Sequence, residues 1–173
     1  MSITAFEEDP MRTRILSVLA CGLMVAGIAR ADDIDVAAIT APAHRLVEAI
    51  NHPGKAAPAH VFTKDAVVLD DFAPYHWSGK TNGKVWFGGL VGTTPETRKA
   101  FADMQAELSV EEPKFARVTG DAGYYVLPAT FLFTDSGKRI HQTGQWVINV
   151  KKVGDEWLID GHAFAITSES EAK

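Results

Sequence analysis

Two runs of β-branched and aromatic residues near the C-terminus constrain this chain more than any other feature. Residues 139–166 read RIHQTGQWVINVKKVGDEWLIDGHAFAI, with the charged tract KKVGD at 151–155 between the runs. Runs of this kind around a short glycine-containing loop form an antiparallel hairpin. Side chains alternate between the two faces of a strand. Alternation puts Gly144, Trp146, Ile148 and Val150 on one face of the first strand, and His141, Thr143, Gln145, Val147 and Asn149 on the other. In the second strand it groups Leu158, Asp160, His162 and Phe164 against Trp157, Ile159, Gly161 and Ala163. A carboxylate and an imidazole, two positions apart on an otherwise apolar face, call for a chemical explanation.

The chain before the hairpin supplies helices first and strands afterwards. Val36, Ile39, Ala43, Leu46 or Val47, and Ile50 recur at helical spacing, with Asp33 as the expected N-cap and the breaker NHPG at 51–54. Pro42 inside that pattern implies a kink or a later start. A short helix is expected over residues 57–62, then a strand over 65–71 with Val68 and Asp70 on one face, then the aromatic loop FAPYHWSG at 72–79. Residues 81–91 read as a third helix, and Thr94 followed by Pro95 opens another that runs to about residue 107. Residues 108–118 form an expected strand whose Pro113 marks an edge or bulge. Residues 123–134 form the next, and turns at 119–122 and 135–138 join both to the hairpin. Helices followed by a four-strand antiparallel meander define an α+β domain, with the helices on one face of a curved sheet. That domain spans residues 32–167, leaving 168–173 as a frayed tail.

The 46% hydrophobic content of 173 residues suffices for one sizeable core. A net charge of -5 argues against a nucleic-acid binder, and equally against adhesion to an anionic membrane. The N-terminus has a separate purpose. Residues 11–31 read MRTRILSVLACGLMVAGIARA, in which Arg12 and Arg14 precede an apolar stretch that ends at the small-x-small site Ala29-Arg30-Ala31. This is the pattern of a cleavable signal peptide, too short for a comfortable membrane span. Cleavage is expected after Ala31, with a periplasmic or secreted product and no membrane insertion afterwards. Residues 1–10 fit no part of a signal, so translation is expected to start at Met11. Cys21 is the only cysteine; a lipidated Cys21 is the rival reading, for which Val18-Leu19-Ala20 is a poor lipobox.

At this point the order of elements resembles a known superfamily. The segment FTKDAVVLD at 62–70 resembles the "F-x-x-D-A-x-x-x-D" strand of the nuclear transport factor 2-like superfamily. Ser78-Gly79, the helix around Val85-Trp86-Phe87, and the sequence from Gly144-Gln145-Trp146 through Trp157-Leu158-Ile159 to His162 are similar to its later elements. The resemblance implies a cystatin-like cone: N-terminal helices and a curved antiparallel sheet around one mostly apolar pocket. Among its catalytic members, ketosteroid isomerase keeps its general-base aspartate where Asp70 falls. Trp146 takes the place of that enzyme's acidic donor, and near Leu46 the helix has no tyrosine, so the resemblance carries the pocket and Asp70 but not the steroid activity. Homodimers are common in the superfamily, and Val147, Trp157 and Ile159 are the outer-face residues expected to mediate one here.

The expected site therefore has Asp70 and His162 as proton carriers, with Trp146, Asp160, His76, Tyr75, Phe164 and Val68 lining the pocket. Burial would raise the pKa of Asp70 and suit it to a proton beside a carbonyl; the bland alternative is that it caps a helix. His162 pairs with Asp160 or Asp70 as its orienting carboxylate, or is a satisfied core histidine. His76, Asp160 and His162 show no H-x-H or H-E-x-x-H spacing, so no metal and no organic cofactor are expected. No nucleophile-elbow sequence supports a serine triad. Three functions remain open. The first is an exported binding protein for a small apolar or ring-containing molecule. The second is a cofactor-free isomerase, dehydratase or other lyase using Asp70 and His162. The third is a dimerising accessory domain with a vestigial pocket.

Overall fold

In a computed structural model, which describes residues 35–52 and 60–172, the hairpin becomes the centre of a seven-stranded sheet. The signal segment, Cys21, the cleavage site and residues 57–59 of the expected short helix lie outside the described residues. Among the described residues, three helices and seven strands follow in order: α1 (Val36–Asn51), β1 (Phe62–Leu69), β2 (His76–Trp77), α2 (Asn82–Val91), α3 (Pro95–Asp103), β3 (Glu107–Val110), β4 (Phe115–Thr119), β5 (Ala122–Asp135), β6 (Lys138–Val153) and β7 (Glu156–Glu171). The sheet order is β2-β1-β7-β6-β5-β3, with β4 also on β5. All pairs are antiparallel except β1 with β7, so the sheet is mixed where a purely antiparallel one was expected.

The helix N-caps follow from local chemistry. Asp35, rather than Asp33, caps α1 by accepting the Ala38 N–H at 3.0 Å. Thr94 caps α3 in a reciprocal box with Thr97, and Pro95 opens that helix. Ile39, Ala43, Leu46 and Ile50 form the buried stripe of α1, and Pro42 lies within the helix on that stripe. At its C-terminal end the Asn51 side chain locks onto β3, donating to the Leu108 carbonyl at 2.8 Å and accepting the Leu108 N–H at 2.7 Å. Ile50, the residue before that clamp, and Leu108 both line the cavity described below.

Three expectations are corrected at the strand level. The expected strand over 108–118 is split into β3 and β4, which pair with different stretches of β5 on either side of Pro113. Phe62, expected at the end of a helix, opens β1 instead. The chain end is no frayed tail: β7 pairs with β6 as far as Glu171, opposite Ile140.

Candidate functional site

The inner face of β6 follows simple alternation, with Gln142, Gly144, Trp146, Ile148 and Val150 all buried. β7 does not. Asn149 faces Gly161 and Val150 faces Ile159, so Asp160 is an extra residue in a β-bulge. The bulge turns Asp160 and Gly161 outward in succession, which allows both Ile159 and His162 to face inward. Asp160 is consequently exposed, accepting the Thr63 hydroxyl at 2.7 Å, and takes no part in the cavity. It cannot orient His162. The same register reset makes Ile159 a core residue and leaves Trp157 packed against the core, so of the expected outer-face set Val147 alone faces outward.

The aromatic loop sorts its side chains by register. Trp77 lies opposite Val68 and is buried; His76 lies opposite Leu69 and is exposed. Tyr75 sits in the turn at a φ of 68° with 62% of its surface exposed. His76 and Tyr75 are therefore absent from the cavity wall, where Phe72 appears in their place. Val68 is fully buried in the core rather than in that wall.

What remains is a cavity of about 60 Å³ lined by Ile50, Asp70, Asp71, Phe72, Trp86, Leu90, Leu108, Phe131, Gln142, Trp146, His162 and Phe164. At about 10–15 Å³ per water, it has room for a handful of small atoms. Of the residues expected in the pocket, Asp70, Trp146, His162 and Phe164 line it. Among the described residues, the lining includes no lysine or arginine. Phe164 needs Gly144 beside it, because a Cβ there would meet the Phe164 ring at 2.8 Å.

Asp70 leaves the end of β1 with its carboxylate held at both oxygens. Trp86, from α2, donates its indole N–H to Oδ2 at 2.6 Å, and the Asp71 N–H reaches Oδ1 at 2.9 Å. Burial pushes the carboxyl up to about 6, against the two hydrogen bonds, which favour the ionised form. His162 is wholly enclosed. Phe62 stacks on it at 6.0 Å, while Trp86 and Trp146 stand edge-on at 4.6 Å and 5.6 Å. Burial lowers its pKa to about 3, so the ring is neutral at any ordinary pH. Trp146 donates its indole N–H to His162 Nδ1 at 3.1 Å. Asp70 and His162 share the cavity without a hydrogen bond between them, and Trp86 stands between, bonded to one and packed on the other. The expected Asp70–His162 pair does not form.

Gln142 closes another part of the wall, donating to Glu169 at 2.7 Å and Asp71 at 3.4 Å. The cavity's polar groups Asp71, Trp86 and Gln142, and its apolar wall of Ile50, Phe72, Leu90, Leu108 and Phe131, were missed by the sequence reading. Gln142 carries a signal, since it shares the parity of Gly144 and Trp146. Trp86 lies one helical turn from Gly83, whose missing side chain lets the Phe62 ring pack against α2.

This arrangement, helices against a curved sheet with a cavity between them, is the nuclear transport factor 2-like, cystatin-like fold. Solved structures of that fold match over most of their own length. A hexachlorocyclohexane dehydrochlorinase (LinA type 3) from Novosphingobium barchaimii is 9% identical, with a TM-score of 0.63 over 79% of this chain and 88% of its own. A ketosteroid isomerase-like protein from Erwinia carotovora is 15% identical, with a TM-score of 0.58 over 79% and 98%. A protein from Novosphingobium aromaticivorans assigned as a scytalone dehydratase is 14% identical, with a TM-score of 0.59 over 79% and 86%. No protein-family profile and no curated protein sequence matches the chain.

Proposed function

We propose that the domain binds a small uncharged molecule in this cavity and that Asp70 moves a proton on it, as the base of a cofactor-free isomerisation. The observation that carries the reading is the Asp70 carboxylate, buried in a largely apolar cavity that has no lysine or arginine among the described residues, where burial raises it to about 6. Such a base is mostly ionised at neutral pH yet basic enough to take a proton beside a carbonyl. His162, neutral down to about pH 3, is a poor second proton carrier. A reaction in which one base removes a proton and returns it elsewhere therefore suits the site better than an elimination that needs a separate acid. The dehydratase and lyase alternative is weaker for that reason, although neighbours of the fold include a dehydrochlorinase. Binding without turnover is the second reading, favoured by the small, largely apolar cavity.

Deuterium exchange separates the two. In D₂O the protein is expected to speed incorporation of deuterium beside the carbonyl of cyclopentanone, and Asp70→Asn to abolish this while affinity stays within a few-fold. Binding with no acceleration would leave a binding protein; equal acceleration by Asp70→Asn would remove Asp70 as the base. Export through residues 11–31 and pairing of two copies through the outer sheet face, where Val67 and Leu69 are exposed, complete the proposal. The mature N-terminus and the mass of the native protein test both.

A further inference from the structure

The Trp146–His162 contact fixes more than the position of a ring. An indole N–H donates and cannot accept. His162 Nδ1, receiving it at 3.1 Å, must therefore carry the lone pair, and the single proton of the neutral imidazole sits on Nε2. That Nε2 is buried and meets no acceptor among the described residues. Buried donors without partners are rare, because each forfeits the hydration it had in the unfolded chain. The ring forms part of a cavity wall that, among the described residues, holds two carboxylates, Asp70 and Asp71, and no lysine or arginine. An anionic ligand would be repelled there; an uncharged oxygen acceptor would not.

We propose that His162 Nε2–H is a fixed, uncharged hydrogen-bond donor to the carbonyl oxygen of a neutral ligand, with Trp146 as the positioning residue that sets its tautomer. The inference rests on reading the cavity as a ligand site and assigns His162 the opposite role from a base: it gives a hydrogen bond and keeps its proton. The competing partner is the Trp86 indole, set at 75° to the imidazole with ring centroids 4.6 Å apart, whose π system is a weak acceptor.

Two probes of nearly the same shape separate these possibilities: cyclopentanone, and methylenecyclopentane, which lacks the acceptor oxygen. In the wild-type protein, side-chain ¹⁵N spectra are expected to show His162 protonated at Nε2 and bare at Nδ1. The carbonyl ¹³C signal of bound cyclopentanone is expected to move downfield, as a hydrogen-bonded ketone's does. The ratio of ketone to alkene affinity is expected to fall about tenfold in His162→Phe, the worth of one buried hydrogen bond. Trp146→Phe is expected to release the tautomer into a mixture and lower the same ratio. A proton on Nδ1, an unshifted carbonyl signal, or a ratio unchanged by His162→Phe overturns the donor while leaving the cavity as a ligand site. A Trp146→Phe protein with its tautomer unchanged overturns the positioning role. Failure of both probes to bind overturns the cavity reading and the donor together. The wild-type spectra decide the matter even if a variant does not fold.

Discussion

Replacing Asp70 by Asn is expected to stabilise the protein at neutral pH, although it removes the proposed base. The carboxyl titrates at about 6 in the folded protein against 3.8 for an unburied aspartate. Its folded-state pKa is raised, so the associated stability is fully present below 3.8 and is lost as pH rises through 6. At about 1.4 kcal/mol per pH unit, that interval corresponds to about 3 kcal/mol of destabilisation at neutral pH. Asn carries no charge to desolvate and keeps one oxygen for the Trp86 indole, but its amide nitrogen cannot accept the Asp71 N–H, a pH-independent loss of about 1 kcal/mol. Urea unfolding should therefore find the stability of Asp70→Asn relative to wild type about 3 kcal/mol greater near pH 7.5 than near pH 4, a net gain of up to about 2 kcal/mol at neutral pH. In thermal unfolding that net gain corresponds to roughly 4–8 °C. His162 works in the other direction. Its pKa is depressed to about 3, so its contribution is present above 6.5 and is lost as pH falls towards 3. Between pH 4 and 6 the two slopes oppose each other in wild type, and Asp70→Asn should expose the His162 slope alone. An Asp70→Asn protein that is less stable at neutral pH, or whose difference from wild type does not change with pH, would refute the reasoning.

Trp86→Phe removes a donor that favours the ionised carboxylate, so the Asp70 pKa should rise above 6 and any Asp70-dependent rate profile should shift to higher pH; ¹³C titration of the carboxyl checks this. Asp160→Ala, at an exposed residue in the bulge with one hydroxyl contact, should change stability by less than about 1 kcal/mol and leave cyclopentanone affinity unaltered by calorimetry. Gly144→Ala drives a methyl group into the Ala165 carbonyl and the Phe164 ring, and should cost about 1–3 kcal/mol in urea unfolding while weakening ligand affinity. Asn51→Ala leaves the Leu108 N–H and carbonyl unpaired and should cost about 2 kcal/mol.

Where local pattern determines structure, the sequence was readable. Alternation in β6 correctly faced Trp146 inward, and Thr94-Pro95 marked the start of α3 because a side-chain cap and a fixed φ act locally. Asp70 was reached through the resemblance of its strand to the superfamily's, not through local pattern. The failures have one common origin: a contact made elsewhere in the fold decides the outcome. One extra residue at Asp160 reverses the parity of β7 until a second irregularity opposite Thr143 and Gly144, and the only local hint of a bulge is Gly161 inside the strand. The two-residue β2 chooses Trp77 over His76 through its register with β1. Trp86 reaches Asp70 only because α2 packs closely on Phe62 at Gly83, a tertiary contact 16 residues away in sequence from the carboxylate it holds.

The account depends most on a desolvated carboxylate inside a cavity, and that can be measured without knowing the ligand. A ¹³C NMR titration of the Asp70 carboxyl, assigned by comparison with Asp70→Asn, should show half-ionisation at about 6. Titration near 3.8, the value of an unburied aspartate, would contradict the account and leave the cavity without a base.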